Sequence, residues 1–135
     1  ADPIDRVSCR PDFAVLCYAV ITLEPPYAHM GSRYNLLGKE ADEKLVASLS
    51  NDRMVTKETP PTFLVHTSED KGVPPQNSVL FYMACMKNHV PAELHIFEKG
   101  GHGLGMGPAN LPFSAWPALC EAWLRGRGVL PAAKR

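Results

Sequence analysis

Three times along this chain a short apolar run gives way to a polar turn and then to a segment of helical period, and that repetition limits the folds open to it more than any other feature. Phe13 to Ile21 is apolar without alternation, the pattern of a strand covered on both faces. Thr62 to Thr67 is a second run, bounded by Pro60-Pro61 and by Ser68-Glu-Asp-Lys-Gly72. Ala92 to Phe97 alternates, which places it nearer an edge. Among the helical segments, Ala41 to Ser50 sets Leu45, Val46 and Leu49 on one face behind Asp42 and Glu43, whose charges suit the positive end of a helix. Gln76 to Asn88 opens after Pro74-Pro75, where proline costs no internal hydrogen bond, and its expected buried stripe is Val79, Leu80, Met83 and Met86. Ser114 to Arg125 is expected to bury Leu119, Trp123 and Leu124 and to stop at Gly126 and Gly128. Glu24 to Gly38, with Pro25-Pro26 and Gly31-Ser32, has the composition of a turn-rich connection, and Pro131 to Arg135 that of a frayed tail. Strand and helix in strict alternation imply an α/β fold of three parallel strands with flanking helices.

Size and charge narrow the function. At 135 residues the chain has the length of one domain, able to bury roughly 70% of its unfolded surface without staples. Fourteen basic and fourteen acidic residues cancel, and no long run of one sign provides the footprint of a nucleic-acid binder. The longest mostly apolar stretch, Phe13 to Leu23, is well short of the roughly 20 residues that cross a bilayer. The opening Ala-Asp-Pro-Ile-Asp-Arg lacks the charge-then-apolar layout of a secretory signal. A soluble protein is expected, cytoplasmic or secreted. Cys9, Cys17, Cys85 and Cys120 are far apart with no C-x-x-C pair, so free thiols are expected rather than a metal site, three of them buried as small hydrophobes.

In a parallel sheet, ligands bind beyond the carboxyl ends of the strands. Two of the three runs end in loops with reactive side chains: Ser68-Glu-Asp-Lys-Gly-Val-Pro74 and Glu98-Lys-Gly-Gly-His-Gly103. If the strands are parallel neighbours, Asp70 and His102 emerge on one rim, where a carboxylate can accept the imidazole hydrogen bond, the orienting half of a nucleophilic triad. Other readings stand beside that one. Asp70 also suits a turn or a helix cap, Glu69 competes with it for an acid role, and His102 between glycines also suits a solvated loop. His66 and His95 fall within strands, and His29 and His89 in turns without an evident partner. Tyr18, Tyr27, Tyr34 and Met106 to Phe113 are open between cleft lining and packing. The cluster from Gly100 to Gly107 matches neither G-x-G-x-x-G nor G-x-x-x-x-G-K-[ST], so nucleotide binding is not expected.

Taken together, Pro61-Thr-Phe-Leu-Val-His-Thr-Ser-Glu-Asp-Lys-Gly-Val-Pro-Pro-Gln-Asn-Ser78, Phe81-Tyr82, Val90-Pro-Ala-Glu-Leu-His95 and Lys99-Gly-Gly-His-Gly103 resemble the carboxyl-terminal half of an α/β-hydrolase. The branch resembled is that of bacterial carboxylesterases, acetylxylan esterases included. Arg10-Pro-Asp-Phe-Ala-Val-Leu-Cys-Tyr18, Gly31-Ser-Arg33 and Asn35-Leu-Leu-Gly38 extend the likeness over nearly the whole chain. It implies that residues 1–135 are the carboxyl-terminal part of an α/β-hydrolase domain, with Asp70 the triad acid and His102 the triad base. Gly100, Gly101 and Gly103 then shape the loop that presents the ring. The acid-then-histidine order agrees with that fold. The nucleophile departs from it: Ser8, Ser32, Ser48, Ser50, Ser68, Ser78 and Ser114 all lack the G-x-S-x-G elbow. The resemblance thus implies a serine esterase of small esters, including acetylated sugars, without metal or cofactor. Its serine is expected from a missing amino-terminal half, and the chain alone is expected to be nearly inactive. An apolar strand edge at Phe13 to Ile21 should pair with that half or with a second copy of the chain. The alternative is a non-catalytic half-fold kept as an interaction module for a partner chain.

Overall fold

The computed structural model describes residues 2–132. Its three strands are β1 (Ala14–Cys17), β2 (Thr62–Thr67) and β3 (Ala92–Phe97), all parallel and ordered β1-β2-β3. Val15 lies opposite Phe63, and Phe63 opposite Glu93. The helices are α1 (Met30–Leu37), α2 (Glu43–Ser48), α3 (Gln76–Lys87) and α4 (Trp116–Gly126).

β2 is buried along its whole length because helices cover both its faces. Leu64 points into a cluster with Ile21, Val55, Phe81, Cys85 and Val90 on the α3 side. Phe63 and Val65 meet Phe113, Cys120 and Trp123 on the α4 side. Of these, Phe63, Leu64, Val65, Val90 and Phe113 are fully buried and contribute about 1.5–3 kcal/mol each. The strand covered on both faces is therefore β2, and the expectation for Phe13 to Ile21 is corrected. β1 is short, half-buried and at the edge of the sheet. It stops because Tyr18 turns to a φ of 40°, outside extended backbone, although its amide still donates to Val65 O. Beyond it the amides of Ile21 and Thr22 donate to the Asn77 side chain instead of to a neighbouring strand. β3 is the other edge, as its alternation suggests.

Three helical expectations are also corrected. Met30–Leu37 is a helix within the supposed turn region: the His29 ring accepts the Ser32 amide at its start, and Gly38, at a φ of 81°, ends it. None of its residues is buried, so no apolar stripe marks it in the sequence. In α2 only Val46 is buried, while Leu45 and Leu49 are exposed. In α3 the buried face is Asn77, Ser78, Phe81 and Cys85, whereas Met83 is 62% exposed and Met86 is exposed as well. The helix is rotated from its expected stripe because Asn77 and Ser78 reach inward as hydrogen-bonding pins. α4 behaves closer to expectation, burying Trp123 with Leu119 and Leu124 packed alongside.

All four thiols are free; Cys85 and Cys120 are buried, Cys17 is half-buried and Cys9 is exposed. Burial pushes the Cys85 thiol up to about 11. Among the described residues no helix is long and apolar enough to cross a membrane. Of the expected frayed tail, residues 133–135 lie outside the described residues.

Candidate active site

Parallel register places Thr67 opposite Phe97, so the loops after β2 and β3 leave the sheet at one rim. Ser68 extends the ladder by donating its amide to Phe97 O at 2.8 Å. The chain then folds back on Asp70, whose Oδ1 accepts the amides of Gly72 at 2.9 Å and Val73 at 2.8 Å before Pro74-Pro75 lead into α3. This is the turn-forming role open to an aspartate. It occupies only one oxygen. The other, Oδ2, lies 2.8 Å from His102 Nδ1. Asp70 is buried and His102 is 44% exposed, so a shielded carboxylate carries a ring that opens to solvent. Burial pushes the Asp70 carboxyl up, but the Val73 amide, the His102 ring and the Gly72 amide outweigh it and hold it below its ordinary value of 3.8.

The loop that carries His102 is tied at several points. Glu69 Oε2 accepts the Gly100 amide at 3.1 Å, and Thr67 Oγ1 donates to the Gly100 carbonyl at 2.7 Å. Lys99 pairs with Glu69 at 2.9 Å. Glu69 therefore fastens the histidine loop and makes no contact with the imidazole. Gly100, at a φ of 127°, holds a conformation that side chains rarely allow, and a Cβ there would meet Leu104 Cδ1 at 2.5 Å. Gly103 also has a positive φ, while Gly101 has neither constraint. Further along, the Gly105 amide donates to the Tyr18 hydroxyl at 3.1 Å, and the Trp116 indole donates to the Gly105 carbonyl at 3.0 Å. The Tyr18 ring stands edge-on to the His102 ring, centroids 5.1 Å apart.

The structure thus brings Asp70 and His102 together and leaves three of the five histidines elsewhere. His29 caps α1, His95 pairs with Glu93 on β3, and His89 is exposed beyond α3. His66 is fully buried behind Asp70. The sequence leaves Tyr18 open between cleft lining and packing and offers Glu69 only as a rival acid, so the positioning roles that the structure gives them are not foreseen. Tyr18 sits at the end of an apolar run and Glu69 inside a charged turn, so neither spacing nor residue type sets them apart. Among the described residues no serine hydroxyl is hydrogen-bonded to His102. Ser78 pairs with His66 and Ser32 with His29, while Ser48, Ser50 and Ser114 donate to backbone carbonyls.

An imidazole whose Nδ1–H is taken by a carboxylate presents Nε2 as a base, and the carboxylate stabilises the cation formed when that nitrogen gains a proton. The arrangement is suited to removing a proton from a hydroxyl placed at the open side of the ring.

Residues 12–116 match the model of the prolyl oligopeptidase family. The acetyl ester-xyloside bifunctional hydrolase from Caldicellulosiruptor lactoaceticus superposes with a TM-score of 0.90 at 54% identity, over 94% of this chain and 46% of that one. An acetylxylan esterase of Xylanibacter ruminicola is 34% identical over 102 residues, 73% of this chain and 21% of that protein. An endo-1,4-beta-xylanase B of Butyrivibrio fibrisolvens is 36% identical over 110 residues, 82% of this chain and 17% of that protein. The chain therefore spans about a fifth of the length of these curated relatives and just under half of the solved one. The three strands and their helices are part of the α/β-hydrolase fold.

Proposed function

Since the chain belongs to the prolyl oligopeptidase family, we propose that it supplies Asp70 as the acid and His102 as the base of a Ser-Asp-His triad in an ester hydrolase. The observation that carries this reading is the 2.8 Å contact between Asp70 Oδ2 and His102 Nδ1 at the carboxyl ends of β2 and β3. Residues 1–135 form the carboxyl-terminal part of the hydrolase domain, and the serine belongs to a G-x-S-x-G turn on another segment. That segment is either an amino-terminal half or part of a partner chain. His102 Nε2 takes the hydroxyl proton as the serine oxygen attacks the ester carbonyl. The proton passes to the departing alcohol, and water repeats the cycle to free the acid. Asp70 fixes the ring and stabilises its cation throughout. The names of the relatives favour acetyl groups on xylose-containing sugars as substrates.

By itself the chain lacks both the elbow serine and the donors of an oxyanion hole, which are worth roughly 3–4 kcal/mol per donor in such enzymes. A fluorophosphonate probe and a chromogenic acetyl ester test this directly. The expected result is no probe on any of the seven serines and the same background hydrolysis from the chain and its His102→Ala variant. Probe attached to Ser68 or Ser32, with turnover lost in that variant, would contradict an external nucleophile. The reading as an interaction module has one observation in its favour: the open edge of β1, beside an apolar cavity of about 390 Å³ lined by Leu16, Ile21, Met54, Val55 and Phe81. Pairing at that edge and supply of a serine by the paired segment are compatible.

A further inference from the structure

Behind Asp70 lies a second histidine. His66 stands on β2 with its side chain wholly buried, and both ring nitrogens are occupied. Nδ1 is 2.8 Å from Ser78 Oγ on α3. Nε2 is 2.9 Å from the Val73 carbonyl and 3.3 Å from Asp70 Oδ2. Both groups facing Nε2 are acceptors, so this nitrogen must carry a proton. Burial disfavours the doubly protonated ring more than the Val73 carbonyl and Asp70 favour it, and the ring stays neutral below the ordinary histidine range. Nδ1 is then a bare acceptor, and the Ser78 hydroxyl donates to it. One residue links the two: the Val73 amide donates to Asp70 Oδ1 while the Val73 carbonyl, in the next peptide, accepts from His66.

We propose that His66, locked by Ser78 as the Nε2–H tautomer, is a positioning residue for Asp70. Through the Val73 backbone it fixes the bond that pins Oδ1, and its own Nε2–H lies 3.3 Å from Oδ2, the oxygen that meets His102. The carboxylate is thereby held in the orientation in which Oδ2 meets the imidazole. A buried histidine that only filled space would need neither a fixed tautomer nor an N–H edge turned to the carboxylate. The catalytic meaning of this device rests on Asp70 being the triad acid; the device itself is a property of the fold.

The test is nitrogen-15 spectroscopy of the chain labelled at histidine. His66 is expected to stay a neutral Nε2–H ring as the pH falls through the point where an ordinary imidazole protonates. The His102 Nδ1–H is expected as a separate downfield proton resonance. His66→Gln keeps a donor near the Nε2 position and should keep that resonance. His66→Leu, folded by circular dichroism, should lose or broaden it. Ser78→Ala should admit the Nδ1–H tautomer of His66. An unchanged His102 resonance in folded His66→Leu would overturn the proposal, as would a wild-type His66 found as Nδ1–H or titrating normally. If His66→Leu does not fold, the wild-type tautomer decides. Failure of the triad reading would show in ester turnover by a chimera that carries this chain beside an elbow serine, and would leave these spectra untouched.

Discussion

Tyr18 presents its ring edge-on to His102 at a centroid distance of 5.1 Å while its hydroxyl accepts the Gly105 amide at 3.1 Å, three residues beyond that histidine. A residue at the end of β1 therefore holds both the imidazole and the loop that carries it, across 87 positions of sequence. Its φ of 40° is a conformation that a non-glycine residue keeps only where its surroundings enforce it.

Tyr18→Phe keeps the ring and removes the acceptor. The expected outcome is faster amide exchange at Gly105 and a loss of about 0.5–1.5 kcal/mol in stability, with the Asp70 to His102 contact retained. Tyr18→Ala removes the wall as well and should disorder His102. Both are read from exchange rates and histidine resonances.

The glycines of the histidine loop should differ in tolerance. Gly100→Ala forces a side chain into a φ of 127° and against Leu104, and should unseat the loop. Gly103→Ala meets open space but has a φ of 78°, at a cost of roughly 1–2 kcal/mol. Gly101→Ala meets nothing within 4 Å and should be close to neutral. Urea midpoints for the three variants check the order; equal losses would contradict it.

Acid should weaken the fold in two windows. The folded His66 ring resists protonation, whereas in the unfolded chain it gains a proton at its ordinary value of 6.5. Its contribution is complete above that value and drains away as the pH falls below it. The groups facing the ring are the Val73 carbonyl, Asp70, Ser78 and, past Asp70, His102. Asp70 is held below 3.8 in the fold, so its contribution is intact above that value and disappears as the pH falls through the lowered one. Unfolding by urea across this range should lose the first step in His66→Gln and the second in Asp70→Asn.

The outward edge of β1 should pair. Ala14 gives its amide to Pro61 O, just before β2, and Tyr18 gives its amide to Val65 O, so alternation turns the amides of Val15 and Cys17 outward. Sedimentation at tens of micromolar should show a species larger than one chain, and Val15→Pro, which removes an outward donor from an edge position, should return it to a monomer. A wild-type chain that sediments as a monomer would argue against an associating edge.

The parts of the fold legible in the sequence are those where burial is purely apolar. β2 and β3 have the limits that their runs suggest, because Thr62–Thr67 and Ala92–Phe97 are bounded by prolines and charged turns. The length of β1 and the rotation of α3 were hidden for one shared reason. Asn77 serves the amides of Ile21 and Thr22 and also donates to Tyr27 O and Pro74 O, and Ser78 serves His66. A hydropathy pattern counts such side chains as outward-facing. In the site, Asp70 and His102 could be paired from their loops and the expected parallel order. Their fastenings could not: Tyr18 reaches Gly105 from 87 positions away and Glu69 reaches Gly100 from 31, contacts that leave no local signal.

As the proposed base, His102 would serve a serine carried on another segment of the hydrolase. The most direct measurement of that role is acetyl ester turnover by a chimera in which residues 1–135 replace the matching part of the Caldicellulosiruptor hydrolase, 54% identical to this chain. The chimera should be active and should lose roughly four orders of magnitude in kcat with Asp70→Asn and at least as much with His102→Ala, both variants folded. An active chimera whose turnover survives His102→Ala would contradict that role.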